Sequence, residues 1–212
     1  MGKLVVIEGI DGSGKSTQFQ LLKKRLERDG AEHETVSFPR YGDESSALIK
    51  MYLGGQFGTL PGDVNAYAAS TFFAVDRFAS YKKDLWGSFY DGGGLVIADR
   101  YTTSNAVHQG AKLPANERAE FFRWLYDFEF RLLGLPKPDA VIYLDINAEA
   151  AVERLGSRNG TKDIHERDLE YLYRCAVCLK QAADTLGWVR IDASGDAAEI
   201  HGRIYELVKE EI

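Results

Sequence analysis

Eight residues near the amino end, GIDGSGKS (9–16), set three glycines, a lysine and a hydroxyl in the spacing G-x-x-x-x-G-K-[ST]. Gly9, Gly12 and Gly14 let the backbone curl so that successive N–H groups point inward, with Ile10, Asp11 and Ser13 carried between them. Such a curl is a cradle for phosphate. The start of a helix near Lys15, Ser16 and Thr17 adds its positive end to the attraction. Lys15 would reach the β- and γ-phosphates of a bound ATP, and the Ser16 hydroxyl would help hold Mg²⁺. The alternative is a glycine-rich turn with a chance Lys-Ser. The loop does not disclose what becomes of the phosphate, since kinases, motors, switches and synthetases all use it.

The flanking residues supply the elements that such a loop needs. Before it runs Leu4-Val5-Val6-Ile7, a β-branched apolar stretch suited to a buried strand. After it, Phe19, Leu22 and Leu26 recur among polar residues at helical spacing. Further strand-like runs fall at 35–38, 95–99, 141–145 and 189–192, with helical patterns between them. That alternation predicts an α/β fold: a five-stranded parallel sheet with helices on both faces, right-handed crossovers, and ligands at the carboxyl ends of the strands. Polar residues stand at those ends: Asp11, Arg40, Asp99, Arg100 and Asp145. No linker, repeat or low-complexity tract divides the 212 residues, which are expected to form one domain. Gly92-Gly93-Gly94 reads as the helix stop before the third strand. Residues 63–90 are long for one helix and rich in aromatics, which suit core, a substrate pocket or a subunit interface. Residues 156–167, GSRNGTKDIHER, hold few apolar and several basic residues, and read either as a solvated turn or as a lid over the triphosphate.

Composition narrows the partners. A net charge of −6 offers no basic stripe for nucleic acid, and no apolar run approaches a membrane span. The amino end enters a strand directly and reaches Glu8 early, unlike a secretory signal, so the expected location is the cytoplasm. Cys175 and Cys178 form a lone C-x-x-C inside a helical pattern, which predicts reduced helix residues rather than a redox or metal pair.

A second phosphate-seeking feature lies at the end of the third strand, LVIADR. Asp99 could hold Mg²⁺ directly or through water, or could instead cap the following helix. Arg100 beside it suits a second phosphate through its planar fork. Two such sites at neighbouring strand ends favour a donor and a phosphorylated acceptor side by side. That arrangement favours a kinase of small phosphorylated molecules, since a motor or switch would not need the second site.

The motifs IEGIDGSGKSTQ (7–18), FPRYG (38–42), FFAVDR (72–77), DRYTTSNAVHQG (99–110), GLPKPD (134–139) and KDIHERD (162–168) occur in an order and spacing that resemble the thymidylate kinase family along nearly the whole chain. The resemblance implies a three-layer P-loop NTPase fold of the adenylate-kinase-like nucleoside monophosphate kinase type. It further implies transfer of the ATP γ-phosphoryl group to dTMP, with Mg²⁺, in a homodimer packed through long helices. By the same resemblance Asp11 holds the 3′-hydroxyl of dTMP, and Arg40 and Arg100 bind its phosphate with Phe38 and Tyr41 nearby. Phe73 stacks on thymine, Arg77 donates to its O4, and Asn105 and Gln109 lie at or near the base. On residue type alone, Phe73 would be a core residue and Arg77 a surface ion-pair partner.

Two departures from the family pattern matter. Some members carry an arginine after the loop aspartate, where this chain has Gly12. The resemblance then points to the form with lid arginines, giving Arg158 the transferring phosphate and Arg154 the adenine or phosphate side. His108 stands where many relatives have a tyrosine beside the deoxyribose, and His165 replaces a tyrosine in the lid. The remaining alternatives are a deoxynucleoside kinase, which needs a carboxylate base where this chain has Arg40, and a non-catalytic P-loop nucleotide switch.

Overall fold

The computed structural model describes residues 2–156 and 163–210. Its centre is a five-stranded parallel sheet in the order β2-β3-β1-β4-β5. The strands are β1 (Lys3–Glu8), β2 (His33–Ser37), β3 (Leu95–Asp99), β4 (Ala140–Asp145) and β5 (Val189–Asp192). Leu4, Val5, Val6 and Ile7 of β1 are all fully buried. Successive strand residues point to opposite faces, so helices must cover both sides of the sheet at β1. Burying each such side chain contributes about 1.5–3 kcal/mol.

Register lines up the strand ends that form the site. Ile7 pairs with Asp99, and Asp99 in turn with Ser37. The carboxyl ends of β1, β3 and β2 therefore lie side by side. From β1 the chain passes to the edge strand β2, returns with β3 between the two, and then crosses to β4 on the other side of β1. The loop after β1 thus sits where the strand order reverses, the place at which such sheets open a crevice.

The helices are α1 (Lys15–Arg28), α2 (Ala47–Leu53), α3 (Ala66–Lys83), α4 (Leu85–Asp91), α5 (Thr102–His108), α6 (Arg118–Tyr126), α7 (Ala148–Gly156), α8 (Leu169–Leu186) and α9 (Ala197–Lys209). The aromatic segment 63–90 is divided. Asn65 caps α3 by accepting from Ala68 N at 2.8 Å. Asp84 then takes an extended conformation (φ −87°, ψ 158°), ending α3 and starting α4. The three glycines do stop α4: Gly93 has φ 99°, and Gly94 N donates to Phe89 O at 2.9 Å. A π-helical turn, Asp127–Leu132, continues α6.

Besides the main core around the sheet, a small cluster forms from Tyr52, Ala69 and Ile164, with Phe72 and Phe73 packed against it. Ile164 N donates to Leu53 O at 3.2 Å, so residues 163–166 dock on the end of α2. Ile164 and His165 are buried there. The carboxyl-terminal part of the 156–167 segment is therefore packed structure and not a solvated turn. Arg158 and Lys162 lie outside the described residues. Cys175 and Cys178 are free, buried thiols in α8.

Candidate active site

One cavity of about 800 Å³ runs from the glycine loop to an aromatic chamber. At one end it is lined by Asp11, Gly12, Gly14, Lys15, Ser16 and Thr17. At the other stand Phe38, Tyr41, Phe73, Arg77, Arg100, Tyr101, Asn105, His108 and the buried His165, with Arg154, Asp163 and Glu166 along the rim. Gly9, Ile10 and Ser13 shape the loop from behind and do not line the cavity. Gly12 is required by position: its φ is 85°, and a Cβ there would meet Ala151 O of α7 at 2.2 Å.

Charge is concentrated where the two ends meet. Lys15 Nζ donates to Gly9 O at 2.6 Å and Ile10 O at 2.9 Å, and lies 3.7 Å from Asp11. Arg100 Nη2 also donates to Asp11. Burial raises the Asp11 carboxyl, but Arg100 and Lys15 outweigh it and hold the group well below the usual carboxylate range. Burial, reinforced by Arg100, pulls the Lys15 ammonium down to about 8. Asp11 thus ties together the two cations that flank the space between the cavity's ends.

Arg100 reaches this place through an unusual backbone. Its φ of 67° is the one positive value at a non-glycine position among the described residues. A side chain in that region costs of order 1–3 kcal/mol and persists only where the surroundings enforce it. Here Arg100 N donates to Ile7 O at 3.3 Å, turning the side chain across to the glycine loop. Glu8 braces the same junction. Fully buried, it accepts from Gly9 N at 2.9 Å and from the Thr103 and Ser104 hydroxyls, each at 2.7 Å.

A match to the family model described as thymidylate kinase covers residues 7–204. The chain belongs to the thymidylate kinase family. It is 37% identical over 206 residues to a thymidylate kinase of Mycobacterium tuberculosis, covering 93% of this chain and 94% of that one. A probable thymidylate kinase of Pyrobaculum aerophilum is 34% identical, covering 97% and 95%, and a Caenorhabditis elegans thymidylate kinase is 29% identical, covering 97% and 89%. Membership makes the chain a nucleoside monophosphate kinase, a phosphotransferase on a P-loop fold. Among the described residues no helix is long and apolar enough to cross a membrane.

Within this thymidylate kinase fold, most of the residues singled out from the sequence converge, and a few do not. Phe73, Phe38, Tyr41, Asn105 and His108 share the chamber with Arg100. Arg77 lines it too, but it is not a surface residue. Its Nε and Nη2 donate to Glu129 at 2.7 and 2.6 Å, leaving Nη1 near Tyr101 O at 3.4 Å. Arg40 is turned elsewhere: Nε lies 3.3 Å from Asp43 and Nη2 3.2 Å from Asp84, and it does not line the cavity. Its backbone N is held by Asp76 at 2.8 Å. Gln109 is wholly buried behind the chamber, outside its lining. Asp99 also stands behind the lining, with a buried Oδ1 that has no protein partner. Burial raises its pKa.

Glu129 is the functional residue that residue-by-residue reading of the sequence passes over. It lies in the π-helical turn, fully buried, and accepts from Thr102 Oγ1 at 2.7 Å as well as from Arg77. A signal did exist. Phe122, Leu125 and Glu129 follow i, i+3, i+7, so the acid sits in line with a buried apolar stripe where an unpaired charge would be untenable.

Proposed function

We propose that this chain transfers the γ-phosphoryl group of ATP to dTMP, giving dTDP and ADP. The observation that carries the reading is a continuous cavity joining the glycine loop to an aromatic chamber, with Lys15 and Arg100 meeting on Asp11 between them. ATP lies with its phosphates on residues 9–17, and Arg154 on the rim serves its adenine or phosphate side. The acceptor enters the chamber, with Phe73 against the thymine ring and Asn105 at the base. Phe38, Tyr41 and His108 close around it. Arg100 is the cation for its phosphate, and Asp11 holds the sugar hydroxyl. Arg77, fixed by Glu129, has Nη1 left to face O4. Arg40 would join the phosphate only by leaving Asp43 and Asp84, and Gln109 supports the chamber from behind.

The acceptor is already an anion, so no strong general base is needed. Transfer is in line, without a covalent enzyme intermediate, and catalysis is positioning plus charge neutralisation. Lys15 and Arg100 supply the charge, together with Arg158, which lies outside the described residues. The unpartnered Asp99 oxygen and the Ser16 hydroxyl on the cavity wall are hard oxygen donors that fit Mg²⁺. Bound there, the ion would neutralise phosphate charge.

A coupled ADP-release assay with Mg²⁺-ATP and the acceptors dTMP, dUMP, dCMP, dGMP, UMP and thymidine tests the reading. Turnover should be strongest with dTMP, weaker with dUMP and almost nil with thymidine. A preference for thymidine would instead make the chain a nucleoside kinase. ATP binding with no turnover on any acceptor would make it a switch.

The chain works as one domain, in the cytoplasm, where its two thiols stay reduced, and pairs as a homodimer. Tyr67, Val75 and Phe78 form an exposed apolar stripe along α3, with Val75 54% exposed, and Leu132 is exposed on the π-helical turn. Apolar side chains at helical spacing on an outer face suit a second copy. Val75→Glu should shift the sedimenting species from dimer to monomer. A wild-type chain that sediments as a monomer removes this assignment.

A further inference from the structure

His108, the last residue of α5, sits at the wall of the acceptor chamber beside Arg100. Its Nε2 lies 3.3 Å from Arg100 Nη1. A guanidinium can only donate, so Nε2 must be the acceptor and the ring must be neutral. The single ring proton then belongs on Nδ1, which lies 3.6 Å from the buried Cys175 Sγ, a weak acceptor. The ring is held in this orientation. It stacks on His165 with centroids 5.6 Å apart and planes at 11°, and His165 Nε2 in turn bonds Tyr52 Oη at 2.8 Å. Tyr171 donates its hydroxyl to the His108 carbonyl from α8.

We propose that His108 is a positioning residue: as a neutral Nδ1–H tautomer it accepts from Arg100 and, opposite Asp11, fixes the guanidinium that anchors the acceptor phosphate. The proposal rests on the reading of the chamber as the dTMP site. Arg100 stands in a left-handed backbone conformation and reaches across the crevice, so its fork is aimed by what it bonds at the tip. Asp11 holds Nη2 and His108 holds Nη1, and the remaining donors are directed to the phosphate. The thiol of Cys175 acts one step further out, by favouring the proton on Nδ1.

The surrounding charges agree with a neutral ring. Arg100 and Lys15 face His108 with like charge, Asp11 and Glu8 with opposite charge, and His165 and Cys175 complete the enclosure. Burial dominates and, despite Asp11, holds the imidazole down to about 4. A second proton would both remove the acceptor and set an imidazolium against the guanidinium.

Two measurements test this. The first is the ring ¹⁵N spectrum of the whole chain near pH 7, with His108 assigned by its loss in H108Q. The expected pattern has Nδ1 protonated and Nε2 bare. A proton on Nε2, or on both nitrogens, overturns the proposal whatever the enzyme acts on. The second is a kinetic series. H108F keeps a ring to stack on His165 but has no acceptor, and should raise KM for dTMP about tenfold while leaving KM for ATP in place. H108Q sets its Oε1 where Nε2 stood and should recover most of that loss. Should H108F melt early, H108N serves the same purpose, because its Oδ1 falls at the Nδ1 position, short of Arg100. A KM for dTMP within twofold of wild type in the acceptor-less variants would reduce His108 to packing. Absence of dTMP turnover in the wild type would instead remove the acceptor assignment, with the ring-proton result still deciding the contact.

Discussion

Arg100→Ala should lower kcat/KM for dTMP by about a thousandfold, the sum of two charge-assisted hydrogen bonds to phosphate at about 1.5–3 kcal/mol each. The effect should fall on both constants, because the same guanidinium binds the acceptor and neutralises charge as the phosphoryl group moves. Arg100→Lys should recover little. A lysine is a single point charge, and here one fork must satisfy Asp11, His108 and a phosphate together. The left-handed backbone at Arg100 provides an internal control. Arg100→Gly loses the same side chain but relieves the conformational cost, so it should be as inactive as the alanine variant yet melt at a higher temperature. A kcat/KM within tenfold of wild type in either variant would show that another group anchors the acceptor.

Removing Arg100 also alters Asp11. The folded-state carboxyl of Asp11 lies below its unfolded value, so its interactions stabilise the fold at neutral pH. That stability is lost as the pH falls below the ordinary carboxylate range. Without Arg100 part of it disappears at neutral pH, and the acid side of the stability curve becomes flatter. The Arg100→Ala chain should therefore lose less melting temperature than wild type on going from neutral to acid pH.

How far the sequence discloses this molecule depends on how local the deciding physics is. The glycine loop is legible because its spacing encodes one backbone path, and the strands because β-branched runs need burial. Their limits shift by a residue or two where pairing decides. β1 begins at Lys3 because Lys3 pairs with Leu95, and β2 begins at His33 for the same reason but releases Phe38 into the chamber. The chamber itself is less legible, since nothing in FFAVDR says that Arg77 faces inward onto an acid 52 residues away. Arg40 illustrates the opposite limit. Its type suits a phosphate, but Asp43, three residues on, and Asp84, at the break between α3 and α4, claim its side chain. His165 reads as part of a polar turn, and only the docking of Ile164 on α2 reveals that it is buried against His108.

The buried pair of Arg77 and Glu129 carries the second large effect. Both side chains are almost completely buried, at 2% and 0% exposure, and meet through two hydrogen bonds. Taking two charges out of water costs several kcal/mol per ion, which the attraction offsets only while both partners are present. Glu129→Ala leaves the buried guanidinium with one long contact to Tyr101 O, and should destabilise the chain by about 3–5 kcal/mol. For a chain of this length that is a fall in melting temperature of about 6–20 °C. Arg77→Ala should cost a similar amount, since Thr102 alone then faces the carboxylate. The double variant Arg77→Met, Glu129→Leu should melt above either single one, because no unpaired charge remains. Function should separate from stability in that variant. It restores packing but leaves the chamber without its guanidinium, so turnover of dCMP should approach that of dTMP. Single variants that melt with the wild type would show that the pair contributes nothing net to the fold. A double variant that still discriminates between the two acceptors would take the base-reading role away from Arg77 and leave it a purely structural ion pair.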